Sequence, residues 1–580
     1  MPDTDDSAND QPAADKTSFE KKKDAFAVDY DCLYARSEGH KYFMIHESFI
    51  ATLCEAVACP QCHHVGLQWK ELTGTELQKD GLNHKLQVSC GSCHTIVCEK
   101  LQTSPAASNS RYPDVNSRTI LAMRAIGAGH ASLQEFCRVM GLPGISINTY
   151  QSHTKRLHDK CNRAAEENLQ QAARTVRQAY EDADPDLVGQ EVIDIAVSYD
   201  GTWQKRGHTS HNGLGVVIDL MTGLVLDTEI RSNYCSSCAL AASRFKGYDT
   251  DEFRDWRQNV HTLCEKNHSG SAASMEAHAA VAMFGRSVDK HRMRYTTVLS
   301  DGDSKTVKKL NDENTYDVEI RKEECVNHIS KRMFARLDNF ATRQKARGNS
   351  VGGRGKGKLT KVRMKRWSTY YRNAISKNVG DVDGMHNSIW AILYHSTSTE
   401  ADPRHQFCPQ GEESWCFYQK AVAKGECTKP PESHDPIPED MAVDLLHDFE
   451  ALSDDDRLER CCRNMTQNTN ESFNGQVWKR APKTLFSSRL VVELAVSLAL
   501  QAFNRGAVGV LRVMHGLGLR QSHVSITMTA AKDRRRSSLA AVAESEVAKK
   551  HRATKKQRNA KQQDKHTEKE GEQYGYGLLQ

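Results

Sequence analysis

Residues 192–200 read VIDIAVSYD, a run rich in β-branched residues that ends in an acid. GLGVVIDL (213–220) and LVLDTEIRS (224–232) follow, joined by Met221-Thr222-Gly223, whose glycine suits a hairpin turn. Three strands joined in this way form an antiparallel meander. Further on, SMEAHAAVAMFGRSV (274–288) has the spacing of an amphipathic helix. YTTVLSD (295–301) is a fourth strand that again ends in an acid, and SKTVKKLNDE (304–313) is helix-like.

Three meandering strands, a helix, a strand and a helix is the order of an RNase H-like core. In such a sheet the first and fourth strands lie side by side, so the terminal carboxylates Asp200 and Asp301 can share a divalent ion. Mg²⁺ takes oxygen ligands and often only one or two protein carboxylates, and a pair of such ions serves both oxygens of a phosphodiester displacement. Strand-end Asp is also a common turn or cap residue. A third acid is needed, and Glu471 in TQNTNESFNGQVWKRAPK (466–483) is the candidate. Gln467, Asn468, Asn470, Ser472 and Asn474 surround it, a polar cluster costly to bury unless it binds something or bonds internally. A capped surface helix is the plainer reading.

The chain has 580 residues, enough for several α/β domains. No apolar run approaches the roughly 20 residues that span a bilayer, and the acidic, polar start MPDTDDSANDQPAADK is not a secretory signal peptide. A net charge of +5 is too small to argue for nucleic acid by itself. The 18 Cys are too sparse for a disulfide scaffold, and in a reducing compartment paired Cys read as metal ligands.

Residues 1–25 lack apolar periodicity and are expected to be disordered. In 40–100, Cys59-Pro-Gln-Cys62 and Cys90-Gly-Ser-Cys93 are two knuckles with a short β-like connection, the spacing of a Zn²⁺ ribbon. Residues 110–182 read as helices; 118–158 suits a helix-turn-helix or an ordinary helical bundle, and 159–182 a separate polar, Ala-rich helix. Cys235 and Cys238 precede His261, Cys264 and His268, zinc spacing with either histidine as fourth ligand. A third cluster is His395, His405, Cys408 and Cys416. Four protein ligands leave a zinc ion no open position, so these clusters read as structural.

Residues 331–366 are dense in Lys and Arg around a Gly-rich centre, SVGGRGKGK, expected to be a flexible loop, with Asp338 the one acid. Arg354, Lys356, Lys358 and Lys361 there are candidate phosphate contacts, a solvated surface being the bland alternative. A second basic tract, 532–570, with Arg534, Arg535 and Arg536 near its start, reads as a frayed helix or a tail and suits a nuclear-import signal or a DNA arm.

Together SYDGTW, SDGDS, ECVNHISKRM and TQNTNESFN resemble the catalytic core of Mutator-like DDE transposases, over roughly residues 40–525. The resemblance implies a triad of Asp200, Asp301 and Glu471 holding two Mg²⁺ or Mn²⁺, with Asp303 the competitor of Asp301, and an accessory Cys325-x-x-His328. It favours His261 over His268, matches HQFCPQGEESWC to a recurring feature of the group, and puts a largely helical insertion between His328 and Glu471. The implied layout is a core in 190–330 with a Cys/His insertion at 233–270, a basic loop and helical insertion at 331–460, the rest of the core with Glu471 at 461–530, and a basic tail at 531–580. The implied function is nuclear cleavage and strand transfer of double-stranded DNA by a homo-oligomer, with no membrane partner. The alternatives are a domesticated DNA-binding or regulatory protein that kept the fold, and a nuclease without strand transfer.

Overall fold

The structure is a computed structural model. It describes residues 17–37, 41–72, 81–108, 110–205, 210–262, 264–301, 305–432, 434–552, 554, 555 and 558. The chain forms two compact units. One is built from the chain up to Ile193, Gly201–Met293 and Glu471–Ala541; the other from Asp194–Asp200, Arg294–Asn470 and the chain from Val542 onward.

Among the described residues two sheets are present. The strands β1 (Leu67–Glu71), β2 (Lys85–Cys90) and β3 (Ile96–Gln102) pair antiparallel in that order. The second sheet contains β4 (Ile193–Trp203), β5 (Asn212–Asp219), β6 (Val225–Ser232), β7 (Met293–Ser300) and β8 (Arg321–Glu324), in the order β6-β5-β4-β7-β8. The first and fourth strands of the meander reading, β4 and β7, are thus neighbours. The β5–β6 turn is closed by the buried Asp219 carboxylate, which accepts the Thr222 amide at 2.6 Å and its hydroxyl at 2.7 Å, while Gly223 takes a left-handed φ of +70°. β8 has no counterpart in the sequence reading. Its sequence, RKEE, is charged throughout, yet it runs parallel to β7 with Ser300 opposite Glu324.

In the first unit the organising element is the helix Ile147–Ala183. Tyr150, Leu157, Cys161, Ala165, Leu169, Ala172 and Val176 recur at helical spacing and are buried. Those from Tyr150 to Leu169 pack on residues of the helices Arg489–Leu500 and Val508–Gly516 and of β5. The expected break between 158 and 159 does not occur, because the apolar stripe runs through it. Where this helix meets a π-helical turn, Gln501–Arg505, the contact is polar. Asn504 accepts the Val225 amide at 3.1 Å and donates to the Val225 carbonyl at 3.1 Å and to Asn168 Oδ1 at 2.9 Å.

The second unit has its own core, made by Ile329, Met333, Leu337, Trp367, Tyr371, Ile389, Leu445 and Phe449. These come from the helices Val326–Ala346, Lys361–Lys377, Val382–Thr397 and Glu439–Leu452. Much of the segment expected as a basic loop is therefore helix, and the loop proper is 347–360. It is anchored: Leu359 is buried and Gly357 N–H donates to Asp435 Oδ1 at 2.7 Å. One end is also corrected. Ser18–Ala25 is a helix with a Thr17–Glu20 capping box, where disorder was expected, and residues 1–16 lie outside the described residues. Of the two readings of the second basic tract, helix or tail, Arg534, Arg535 and Arg536 follow the first, within the helix His523–Glu544.

Two outcomes follow from this packing. Asn504→Leu strands the Val225 amide and carbonyl and Asn168 Oδ1, and should destabilise the first unit by about 2–4 kcal/mol, read by thermal melting. Burial, with the nearby Arg156 charge, lowers His153 to about 4, and burial above all lowers His291 to about 4. Both lie below the unfolded value of 6.5, so their stabilising effect is full above pH 6.5 and is lost as pH falls from 6.5 to 4. Each should contribute about 3 kcal/mol to that loss, and His153→Gln or His291→Gln should flatten the decline in a pH series of denaturant melts.

Candidate active site and metal centres

The active-site candidate is assembled on β4 and β7 within the second unit. Ser198 Oγ donates to the Leu299 carbonyl at 3.5 Å, joining the two strands just short of their acids. Asp301 directly follows β7, and the β7–β8 register brings Cys325, directly after β8, to the same level. Asp303 lies outside the described residues. Cys325 is the N-cap of the helix Val326–Ala346, and His328 in its first turn sets Nδ1 3.5 Å from Asp301 Oδ1.

The segment that carries Glu471 is tied to this level. Val326 N–H donates to the Met465 carbonyl at 3.2 Å, and Gln467 N–H to Cys325 Sγ at 3.4 Å. Gln467 Nε2 donates to the Tyr199 carbonyl at 2.8 Å and Asn470 Nδ2 to the Ser198 carbonyl at 3.3 Å. Two buried amide side chains thus grip the two residues that precede Asp200. Glu471 is the next residue, exposed, in the first turn of the helix Asn468–Arg480, where a carboxylate is favoured by the helix dipole.

Electrostatics link Cys325 to His328. Burial acts to raise the Cys325 thiol, but its hydrogen bonds with His328 and the Gln467 amide outweigh that and hold it below the ordinary thiol value. The Cys325 hydrogen bond raises His328 above the usual imidazole value; burial opposes this and the Asp301 carboxylate adds to it. The buried Gln467 Oε1 and Asn470 Oδ1 have no hydrogen-bond partner among the described residues. Carboxylates beside orphaned amide oxygens are the hard donors that Mg²⁺ and Mn²⁺ take, so the donor set fits such an ion.

Three Cys/His groups have all ligand atoms within 4.8 Å of one another, and no carboxylate group among the described residues meets that distance. The first is Cys59, Cys62, Cys90 and Cys93. Its knuckles repeat one backbone fold. Cys59 and Cys90 accept amides two residues on at Sγ (3.4 Å each) and amides of His63 and His94 at their carbonyls (3.0 and 3.1 Å), with both histidines at φ +60°. Sγ atoms of opposite knuckles are 3.7 and 3.6 Å apart. Four thiolates at about 2.3 Å from a tetrahedral zinc stand about 3.8 Å from one another, so the cage fits zinc.

The second group is Cys235, Cys238, His261 and Cys264, with Cys235 Sγ 3.3 Å from His261 Nε2 and Cys238 Sγ 3.4 Å from Cys264 Sγ. Trp256 stacks on the His261 ring at 4.9 Å between centroids, a support that the sequence spacing did not reveal. His268 is elsewhere: its Nε2 meets Ser274 Oγ at 3.0 Å and its Nδ1 meets His278 Nδ1 at 3.3 Å. The third group is His395, His405, Cys408 and Cys416, with the two Nδ1 atoms 3.2 Å apart and Cys416 Sγ 3.5 Å from His405 Nδ1. Ser398 Oγ holds His405 Nε2 at 3.0 Å and orients the ring, again a partner that spacing did not announce.

Of the basic residues, Arg354 and Lys356 are exposed in the 347–360 loop. Lys358 reaches Ser350 Oγ at 3.2 Å, and Lys361 pairs with Asp338 at 2.5 Å.

Residues 42–416 match a family model described as Mutator-like transposase. No curated protein matches the chain.

The geometry separates the two histidines. His261→Ala should lower the zinc content of the purified protein by one equivalent per chain, whereas His268→Ala should leave it unchanged, as read by elemental analysis.

Proposed function

Because the chain belongs to the Mutator-like transposase family, we propose that it is a DDE-type DNA transposase with an RNase H-like core, cleaving transposon ends and joining them to target DNA in the nucleus. The observation that carries this reading is the grip of Gln467 and Asn470 on the Tyr199 and Ser198 carbonyls, which sets the start of the Glu471 helix beside the Asp200 strand. In this reading Asp200, Asp301 and Glu471 hold Mg²⁺ or Mn²⁺. Bound there, a pair of ions polarises the phosphodiester and offsets charge on its attacking and leaving oxygens.

The chain's own residues do the rest. His328 Nδ1, 3.5 Å from Asp301 Oδ1, is placed to orient that carboxylate, and its hydrogen bond with Cys325, with the Asp301 charge adding to it, raises its imidazole. The neutral amides of Gln467 and Asn470 fix the backbone at residues 198 and 199 without adding charge to the site. Double-stranded DNA is the partner, and Arg354, Lys356, Lys358 and Lys361 contribute phosphate contacts that position it without reading sequence. Zinc at the three Cys/His groups is structural. The working species is a homo-oligomer on DNA.

Glu471→Gln keeps the side-chain size and removes a negative charge. It should abolish metal-dependent cleavage of terminal-repeat DNA while leaving DNA affinity within about threefold. Wild-type protein that binds such DNA but neither cleaves nor joins it would sink the enzyme reading in favour of a domesticated DNA-binding protein. Replacing Arg354, Lys356, Lys358 and Lys361 together by Ala should weaken binding to unrelated DNA sequences alike and flatten the log–log salt slope by about 0.9 per lost phosphate contact. An unchanged slope would move the DNA path to another surface.

A further inference from the structure

Between the helices Asn468–Arg480 and Arg489–Leu500 the chain runs through APKTLFSS (481–488), in which Leu485 and Phe486 are each 62% exposed. Their exposure does not come from a loose backbone. The buried Gln204 donates through Nε2 to the Leu485 carbonyl at 3.0 Å, and the buried Asn212 donates through Nδ2 to the Ser487 carbonyl at 2.9 Å. Asn212 Nδ2 also donates to Gln204 Oε1 at 3.0 Å, so the two amides form one bracket. The backbone on both sides of Phe486 is therefore fixed, and the ring between the two anchors is held out in solvent. Two further rings steady it. His211 and Tyr234 stack at 4.4 Å between centroids, and His211 Nδ1 meets Asn233 Oδ1 at 3.1 Å. The Phe486 ring stands nearly perpendicular to both, at 6.0 and 5.6 Å. All of these residues belong to the first unit. A ring so fixed and so exposed forgoes the burial that an aromatic side chain otherwise gains.

The charge around the rings selects a ligand. Residues 478–489, WKRAPKTLFSSR, hold Lys479, Arg480, Lys483 and Arg489 and no acid. Arg489 is matched by Glu493 at 2.7 Å. Lys483 Nζ is held 5.3 Å from the centroid of the Trp478 ring, whose Nε1 donates to Thr202 Oγ1 at 3.1 Å. An aromatic face set among cations complements a nucleobase with its flanking phosphates, because every base has a π face to stack. Within a duplex both faces of a base are covered by its neighbours, so one projecting ring reaches a base that has left the stack. We propose that Phe486, backed by His211 and Tyr234, is a stacking platform for an unpaired DNA base, so that the chain favours duplex ends with a single-stranded extension. The proposal rests on the reading of the chain as a protein that acts on DNA. It adds a base contact to the phosphate contacts named for the 347–360 loop and its flank.

The test is fluorescence anisotropy with the zinc-loaded full chain and three labelled DNAs: a blunt duplex, the same duplex with a short single-stranded extension, and that extension made abasic. Wild type should bind the base-bearing extension about tenfold more tightly than the abasic one, which keeps the phosphates and lacks the rings. Phe486→Ala should make these two affinities equal while leaving blunt-duplex affinity within about twofold, since phosphate contacts are untouched. Phe486→Trp should retain the preference, and iodouracil placed in the extension should photo-cross-link to Phe486, as read by mass spectrometry. Equal affinity of wild type for the two extensions, or a preference that survives Phe486→Ala, would overturn the platform and leave the DNA reading intact. Failure of wild type to bind any of the three DNAs would overturn both. A lower melting temperature in Phe486→Ala, with all three affinities reduced alike, would make Phe486 a packing residue, which also overturns it.

Discussion

Two neutral amide side chains, Gln467 and Asn470, hold the candidate active site together by donating to consecutive carbonyls of β4. Their partners are 268 and 272 residues away in sequence. Amides suit the task because a site that gathers carboxylates is already rich in negative charge. In the proposed reading a cationic clamp would neutralise carboxylates that metal needs, and an anionic one would add repulsion. The long excursion between Asp301 and Glu471 costs little by itself, since loop-closure entropy grows only with the logarithm of length. It is made affordable by the core of Trp367, Tyr371, Leu445 and Phe449, which orders the intervening helices on their own terms.

The small β1–β2–β3 sheet solves a different problem. Its buried apolar cluster is Cys59, Leu67 and Cys90, with Cys54 and Val88 partly buried against it, while Phe43, Met44 and Ile45 nearby are exposed at 77%, 71% and 55%. A layer this thin cannot bury enough apolar surface to order itself, and its cysteines are both core and ligand set. A metal ion held by these cysteines would stand in for the hydrophobic burial that organises the rest of the first unit.

The sequence made some of this readable and hid other parts for physical reasons. β4 and β7 were legible because β-branched runs end in an acid, and the paired knuckles were legible because CxxC spacing is nearly unambiguous. β8 was not, since RKEE is ordered by charge: buried Glu324 meets Arg332 at 2.9 Å and Lys322 at 3.3 Å, and no apolar alternation marks it. The continuous helix over Ile147–Ala183 was split in the reading because its exposed face is so polar that its narrow apolar stripe was missed. His261 and His268 sit at equally plausible distances from Cys264; only the Trp256 stack and the turn after Asn259 choose between them.

The opposed sulfurs of the first cage bear on how the protein meets oxygen. Cys59 faces Cys93 and Cys62 faces Cys90 at 3.7 and 3.6 Å, two close sulfur pairs that each join different knuckles. A thiolate pair at that separation needs only a modest movement to reach the roughly 2.05 Å of a disulfide. A zinc ion bound between them would occupy the lone pairs that attack. Without an ion the cage would be open to cross-linking between its two halves, locking shut a site that zinc could then no longer enter. A metal bound there would thus preserve its own ligands, and strong chelators in air would convert a reversible loss into a covalent one.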